Sequence, residues 1–117
     1  MGALRRLFDR LGQTDEDRRA DEVRRWTAAV PGAMSIASCP NRSRTRVAGV
    51  VRRLTIKPGE EILEAVVTDG TGELTATWTG RSHIPGLRLG SRVTLEGVVA
   101  EERRRRRMVN PVYEFLG

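Results

Sequence analysis

Apolar positions along this chain keep two different rhythms. Leu4, Leu7, Phe8 and Leu11 recur at helical spacing within residues 3–12, and Val23, Trp26, Thr27 and Val30 do the same within residues 15–30. Gly12 and Gln13 separate the two stretches, and Thr14 stands three before Asp17 in the manner of a capping box. Pro31-Gly32 stops the pattern. Arginines and acids interleave on the remaining face, as they do on solvated helices. Helices this short do not hold alone in water, so residues 1–30 predict an amphipathic arm that docks on something.

From Arg46 onward the period becomes two. Arg46 to Ile56 is rich in Val and Thr and ends at Lys57-Pro58-Gly59. Ile62 to Thr68 leads into Asp69-Gly70-Thr71-Gly72, a turn in which the glycines supply positive φ and Asp69 is placed to cap through its carboxylate. Glu73 to Thr79 returns, residues 80–90 read as a loop with room for one helical turn, and Arg92 to Ala100 and Met108 to Phe115 complete five strands. Short strands with turn signals between them, and no alternation of strand with helix, predict a mainly β fold over residues 31–117, a small closed barrel or a sandwich. That pattern closes without residues 1–30.

Composition narrows the chemistry. One cysteine (Cys39) excludes a disulfide framework and a multi-cysteine metal site, and one histidine (His83) excludes a His-rich centre. No histidine lies near Cys39 to activate it, so a buried thiol is expected there, and His83 reads as an exposed loop residue. No apolar run approaches a membrane span, and MGALRRLFDRLG lacks the apolar core of a secretory signal, so a cytoplasmic setting is expected. Asp69-Gly70-Thr71-Gly72 is followed by neither Lys-Ser/Thr nor a helix start, so it is no phosphate-cradling loop. Neither a cofactor nor catalytic chemistry is predicted.

The charge points to an anionic partner. The chain has 117 residues and a formal net charge of +6, and Lys57 is the only lysine beside twenty arginines. Arginine's planar fork suits phosphate. Five of these arginines form the unbroken run Arg103, Arg104, Arg105, Arg106 and Arg107 after Glu101-Glu102. Two carboxylates cannot pair five guanidiniums, and repulsion is expected to leave the run extended and open to phosphate; a merely solvated charge run is the alternative. Arg42, Arg44 and Arg46 alternate into the first strand, and Arg52 and Arg53 point to opposite faces farther along it, where one could mark a bend out of the barrel.

Several residues in order resemble the oligonucleotide/oligosaccharide-binding (OB) fold: Arg46-Val47-Ala48-Gly49-Val50-Val51, Val67-Thr68-Asp69-Gly70-Thr71-Gly72-Glu73-Leu74, Ile84-Pro85-Gly86-Leu87-Arg88-Leu89-Gly90, Val93-Thr94-Leu95-Glu96-Gly97-Val98-Val99 and Val109-Asn110-Pro111-Val112-Tyr113. The order is similar to the OB modules of RecG-type branch-migration helicases and aspartyl-type tRNA synthetases, and to small stand-alone OB proteins of actinobacteria. The resemblance implies a five-stranded OB-type barrel with an N-terminal α-helical arm. It also implies binding of single-stranded DNA or RNA on the face of strands two and three, with the loops joining strands one to two and four to five as rim. The arginine run falls in the second of those loops.

On the implied face, alternation sends Leu63, Ala65, Val67, Leu74, Ala76 and Trp78 inward and leaves Glu64, Val66, Thr68, Thr75 and Thr77 outside. That outer set holds no aromatic platform. Trp78 itself admits two placements, inward as a core anchor or turned to the rim by a bulge, where it would stack on a base. Tyr113 and Phe115 share parity with Val109 and are expected in the core. The function implied is non-enzymatic, weakly sequence-specific binding through arginine–phosphate contacts. The rival is a protein-interaction module in which Leu4, Leu7, Phe8, Leu11 and Trp26 dock a partner or a second copy.

Overall fold

A computed structural model describes residues 15–117, so Leu4, Leu7, Phe8, Leu11 and the Thr14 cap lie outside the described residues. The second predicted helix is present as α1 (Asp15–Ala28), and a 3-10 turn follows at Ile36–Ser38. Six strands come next: β1 (Ser43–Lys57), β2 (Ile62–Thr68), β3 (Glu73–Thr79), β4 (Arg92–Glu102), β5 (Arg105–Val109) and β6 (Val112–Phe115). They pair in the order β1-β2-β3-β5-β4-β6, and a further β1–β4 pairing closes the ring. The mainly β expectation holds, and the closed ring decides for a barrel over a sandwich.

Closure rests on the length of β1. Its first half pairs with β4, from Ser43 opposite Val99 to Val50 opposite Arg92. Its second half pairs with β2, from Val50 opposite Thr68 to Lys57 opposite Ile62, with a register shift between Val51 and Arg53. One extra residue, Arg52, bends and twists the strand at the handover from one partner to the other. Gly49 sits just before this bend, where a Cβ would collide with the Val67 side chain and lie 2.6 Å from the Thr68 carbonyl oxygen. Only glycine lets the backbones approach so closely.

The expected fifth strand, Met108 to Phe115, starts three residues earlier and is broken into β5 and β6 at Asn110-Pro111. Asn110 takes φ 49°, a conformation asparagine tolerates, and Pro111 has no N–H to offer a ladder. The break reverses the alternation. Met108 and Pro111 are buried, Val109 is 59% exposed, and Phe115, beside Gly86 of the loop that follows β3, is 43% exposed. The parity that placed Val109 in the core therefore fails; Tyr113 is half-buried against the core, and Phe115 keeps its face, with ring centres 5.9 Å apart, but is too exposed to belong to the core. Asn110 also fastens the two sides of the break. Its N–H donates to the Thr77 carbonyl at 2.7 Å, its Oδ1 accepts from the Thr79 N–H at 3.0 Å, and its Nδ2 donates to Thr79 Oγ1 at 3.0 Å.

Inward residues fill the barrel: Val47, Val51, Leu63, Ala65, Val67, Leu74, Ala76, Trp78, Val93, Leu95, Val99 and Met108. Trp78 is 4% exposed, its indole N–H donates to the Pro111 carbonyl at 3.2 Å, and its ring meets Tyr113 edge-on at 5.8 Å. It is a core anchor, and the rim placement is excluded.

Each end of the barrel takes an isoleucine. Ile84, buried in the loop that follows β3, belongs to one end together with half-buried Leu87; the loop is a series of turns and contains no helix. Ile36 belongs to the other end, fully buried beside Cys39. Asp69 holds this second plug. It is 3% exposed; Oδ2 accepts from the Ile36 N–H at 2.8 Å, and Oδ1 accepts from the Thr71 N–H at 2.9 Å and the Thr71 hydroxyl. The predicted turn cap thus reaches beyond its own turn. Cys39 is a buried thiol as expected; burial raises its pKa, opposed by Arg106 and reinforced by Asp69.

Helix α1 is seated on the barrel. Thr27 is buried, with its hydroxyl donating to the Val23 carbonyl at 2.8 Å and lying 3.5 Å from the Asp69 carbonyl oxygen. Arg24 reaches the Gly70 carbonyl at 3.4 Å, and a Cβ on Gly70 would strike the Ala20 carbonyl. Trp26 lies under the Arg92 guanidinium, 5.0 Å from its ring centre.

Replacing Asp69 with Ala strands the buried Ile36 N–H and frees the plug, and should cost about 2–3 kcal/mol in urea unfolding. Trp78→Ala, a cavity in so small a core, should cost about 3–5 kcal/mol by the same measurement.

Candidate nucleic-acid interface

The arginine run is a β-hairpin. Ala100 pairs with Arg107, Glu101 with Arg106 and Glu102 with Arg105, leaving a two-residue turn at Arg103 and Arg104. Both turn residues have positive φ, 51° and 65°, which is the type I′ geometry that matches the twist of paired strands. Neither is the Asn or Gly such turns favour, so the sequence carries no hairpin signal there. The strands form because their ladder continues from β4 and because β5 also pairs with β3, in parallel, from Leu74 opposite Arg106 to Thr77 opposite Val109.

Strand pairing divides the run. Arg105 and Arg107 project outward, whereas Arg106 shares parity with buried Met108 and turns to the plugged end of the barrel. There Arg106 donates to the Ala37 carbonyl at 3.1 Å, and its Nε is buried without a partner. The expectation of five extended guanidiniums is corrected accordingly: Arg106 braces the fold, two arginines form the tip and two face outward.

The outward arginines complete a row across four strands. Arg53 lies opposite Val66, Val66 opposite Thr75, and Thr75 beside Arg107. Three strand spacings separate the ends of this row, about 14 Å. An open groove lies between its two ends and extends along β2, lined by Arg53, Thr55, Val66, Thr75, Arg105 and Arg107 among others. Two carboxylates also line the groove, and cations pair both. Lys57 Nζ lies 3.3 Å from Glu64 Oε1, and Arg52 Nη1 lies 3.3 Å from Glu73 Oε1. Among the described residues, Arg53, Arg104, Arg105 and Arg107 have no ion pair within 4.0 Å. The groove is a concave, basic surface whose floor is aliphatic and hydroxylic.

Other arginines singled out from the sequence lie elsewhere. Arg44 pairs with Glu96 at 3.7 Å and Arg46 with Glu114 at 3.8 Å, on the outer face of β1 and β4. Arg42 stands in the turn before β1 with φ 60° and donates its N–H to the Val99 carbonyl. Arg52, the bulged residue, lies at the margin through its bond to Glu73. Thr75 is half-buried in the groove, but Thr77 is 8% exposed with an unpartnered hydroxyl, and Trp78 is inside the barrel. Thr77 and Trp78 thus present almost no surface to the groove. Thr55 and the exposed Val109 join its surroundings; the bend expected at Arg52 or Arg53 was not carried into the alternation beyond it, and the early start of β5 was not expected.

The same stretch of chain, residues 45–116, matches the family model described as OB-fold nucleic acid binding domain, the tRNA anti-codon family. The chain belongs to that family. The OB domain also resembles solved structures. The p204 HINb domain superposes with a TM-score of 0.60 at 13% identity, over 72% of this chain and 47% of that one. The OB domain of MM0293 from Methanosarcina mazei gives 0.58 at 22%, over 73% and 83%. A replication protein A heterotrimer bound to ssDNA gives 0.53 at 15%, over 75% and 68%. The chain spans about half of the p204 HINb chain. At these identities the likeness is one of fold. No curated protein matches the chain in sequence. Among the described residues no helix is long and apolar enough to cross a membrane.

Two non-glycine residues in left-handed conformations strain the hairpin tip. Arg103→Asn with Arg104→Gly should therefore raise stability by about 1 kcal/mol in urea unfolding, with the far-ultraviolet spectrum unchanged.

Proposed function

We propose that this OB domain binds single-stranded nucleic acid without catalysis. The backbone lies in the groove between Arg53 on β1 and the Arg104, Arg105 and Arg107 side of the β4–β5 hairpin. The observation that carries the reading is that row of guanidiniums without carboxylate partners, flanking the face of β2 and β3 while the acids between them are neutralised from outside. A phosphate entering the groove meets uncompensated positive charge, and two arginine forks can each take it bidentately. The replication protein A neighbour, bound to ssDNA, supports a single strand as the ligand class.

The floor sets the character of binding. Val66, Thr75 and Thr55 present no aromatic ring. Stacking on aromatics contributes about 1–3 kcal/mol per base in single-strand binders, so this interface lacks that term. Its affinity rests on phosphate contacts, which makes it weak, salt-sensitive and nearly blind to base identity. The rival reading, a partner docked through the arm, loses Trp26, which already lies under Arg92.

Arg105→Gln with Arg107→Gln tests the assignment by fluorescence anisotropy against DNA and RNA oligonucleotides. Stability should stay within about 0.5 kcal/mol, because both side chains are exposed. Single-strand affinity should fall at least tenfold at low salt, equally for every base composition. The log–log salt slope should flatten by about 1.4, since each single-strand phosphate contact contributes about 0.7. A double variant that binds like the parent, with the same slope, would remove these arginines from the interface.

A further inference from the structure

The face of β2 and β3 is electrically two-ended. One end carries Arg53, Arg104, Arg105 and Arg107. The other end is the β1–β2 turn, residues 58–61, with β-strand neighbours Lys57 and Glu64. Lys57 is consumed by Glu64 at 3.3 Å. Glu60 and Glu61 are exposed, and among the described residues neither has an ion pair within 4.0 Å. The turn is held in place: the Glu60 N–H donates to the Lys57 carbonyl at 3.3 Å, and the Glu61 carbonyl accepts from the Arg81 N–H at 3.1 Å. Glu61 adopts φ 49° to make this turn. The backbone that carries the two glutamates is therefore held beyond the Thr55–Glu64–Thr77 row, and with exposed Arg81 beside them the unpaired groups of this end still sum to a negative charge.

We infer that Glu60 and Glu61 are a boundary that limits how many nucleotides the face can hold. This rests on the groove being the strand-binding surface. From the Arg53–Val66–Thr75–Arg107 row to Glu61 is five residues along β2, about 17 Å at the rise of a β-strand. A phosphodiester backbone held by the arginines and continued along β2 would bring a phosphate beside two unpaired carboxylates. Like charges brought together at a partly dehydrated surface repel, so the backbone leaves the face before reaching the turn. The barrel then holds a short segment, anchored at the hairpin end, and the rest of a long strand contributes nothing. In OB barrels the first turn serves as a rim; in this chain its charge makes it a barrier to phosphate. The separation also means that the turn acts only on strands long enough to approach it, because the screening length at 0.1 M salt is about 10 Å.

The test is a length series, dT3 to dT15, titrated by anisotropy at 0.1 M salt against the parent, Glu60→Lys/Glu61→Lys and the milder Glu60→Gln/Glu61→Gln. The turn's backbone bonds do not involve these side chains, so all three proteins should unfold at the same urea concentration. Parent affinity should rise over the shortest strands and then grow only by the statistical factor for the number of registers. The lysine variant should match the parent within about twofold on dT3. On dT12 it should bind at least tenfold more tightly, with a log–log salt slope steeper by about 0.7–1.4, one or two added phosphate contacts. The glutamine variant should fall between. Parent and lysine variant rising together with length, without divergence, would overturn the boundary and leave the arginine groove standing. Absence of binding by all three proteins at every length would instead overturn the groove itself, and the boundary with it.

Discussion

One inserted residue organises both the barrel and its surface. Between Val51 and Arg53 the pairing of β1 with β2 skips Arg52. Before the skip β1 sends Val47 and Val51 inward, and after it Leu54 packs against the core while Arg53 faces out. Strict alternation from Val51 would have put Arg53 into the barrel and Leu54 into water. The bulge corrects the hydrophobic register at the point where β1 leaves β4 for β2. It also turns one arginine into the groove and another, Arg52, onto Glu73. Fold closure and surface charge are two consequences of the same local geometry.

A second constraint operates at the end of the barrel nearest α1. A closed ring of short strands leaves its ends open, and hydrophobic residues there must be covered by loops. Ile36 supplies the apolar cover, but a 3-10 turn of three residues has little hold of its own. Asp69 provides the hold by accepting the Ile36 N–H while it also caps its own turn. The helix then rests on that turn through Thr27, Arg24 and the bare face of Gly70. The β2–β3 turn is consequently the junction of barrel, plug and helix, which explains why a carboxylate is tolerated at 3% exposure: every buried polar contact it makes is with a donor.

How much of this was legible in the residues depended on whether a rule of alternation survived locally. It survived in β2, β3 and β4, where Leu63, Ala65, Val67, Leu74, Ala76, Val93, Leu95 and Val99 are buried as the period of two requires. Asp69-Gly70-Thr71-Gly72 announced its turn through residue types that make such turns. Alternation broke at Arg52 and at Asn110-Pro111, and there Arg53 and Val109 face away from the core that an unbroken period of two would give them. The hairpin of arginines was hidden for another reason. A type I′ turn usually declares itself by glycine or asparagine, and Arg103-Arg104 makes one against its intrinsic preference. Pairing of β5 with both β3 and β4 supplies the compensation, and no local pattern reports a pairing partner thirty residues away.

Charge census alone does not select the proposed interface. Arg44 and Arg46 are paired, but exposed ion pairs of this kind stabilise by only about 0.2–1 kcal/mol, so a phosphate could displace either glutamate at little cost. What distinguishes Arg53, Arg105 and Arg107 is convergence on one concave surface from opposite sides. Arg44 and Arg46 lie on the outer face of β1 and β4, where each stands beside its own glutamate. Convergence matters because a second phosphate contact on the same strand is gained without a further loss of translational freedom, so contacts in one groove reinforce each other as scattered ones do not. The groove obtains this from topology. Strands β1 and β5, distant in sequence, flank β2 and β3 on the two sides in any ring of this order, and an arginine at the right parity on each is enough to make a two-sided clamp.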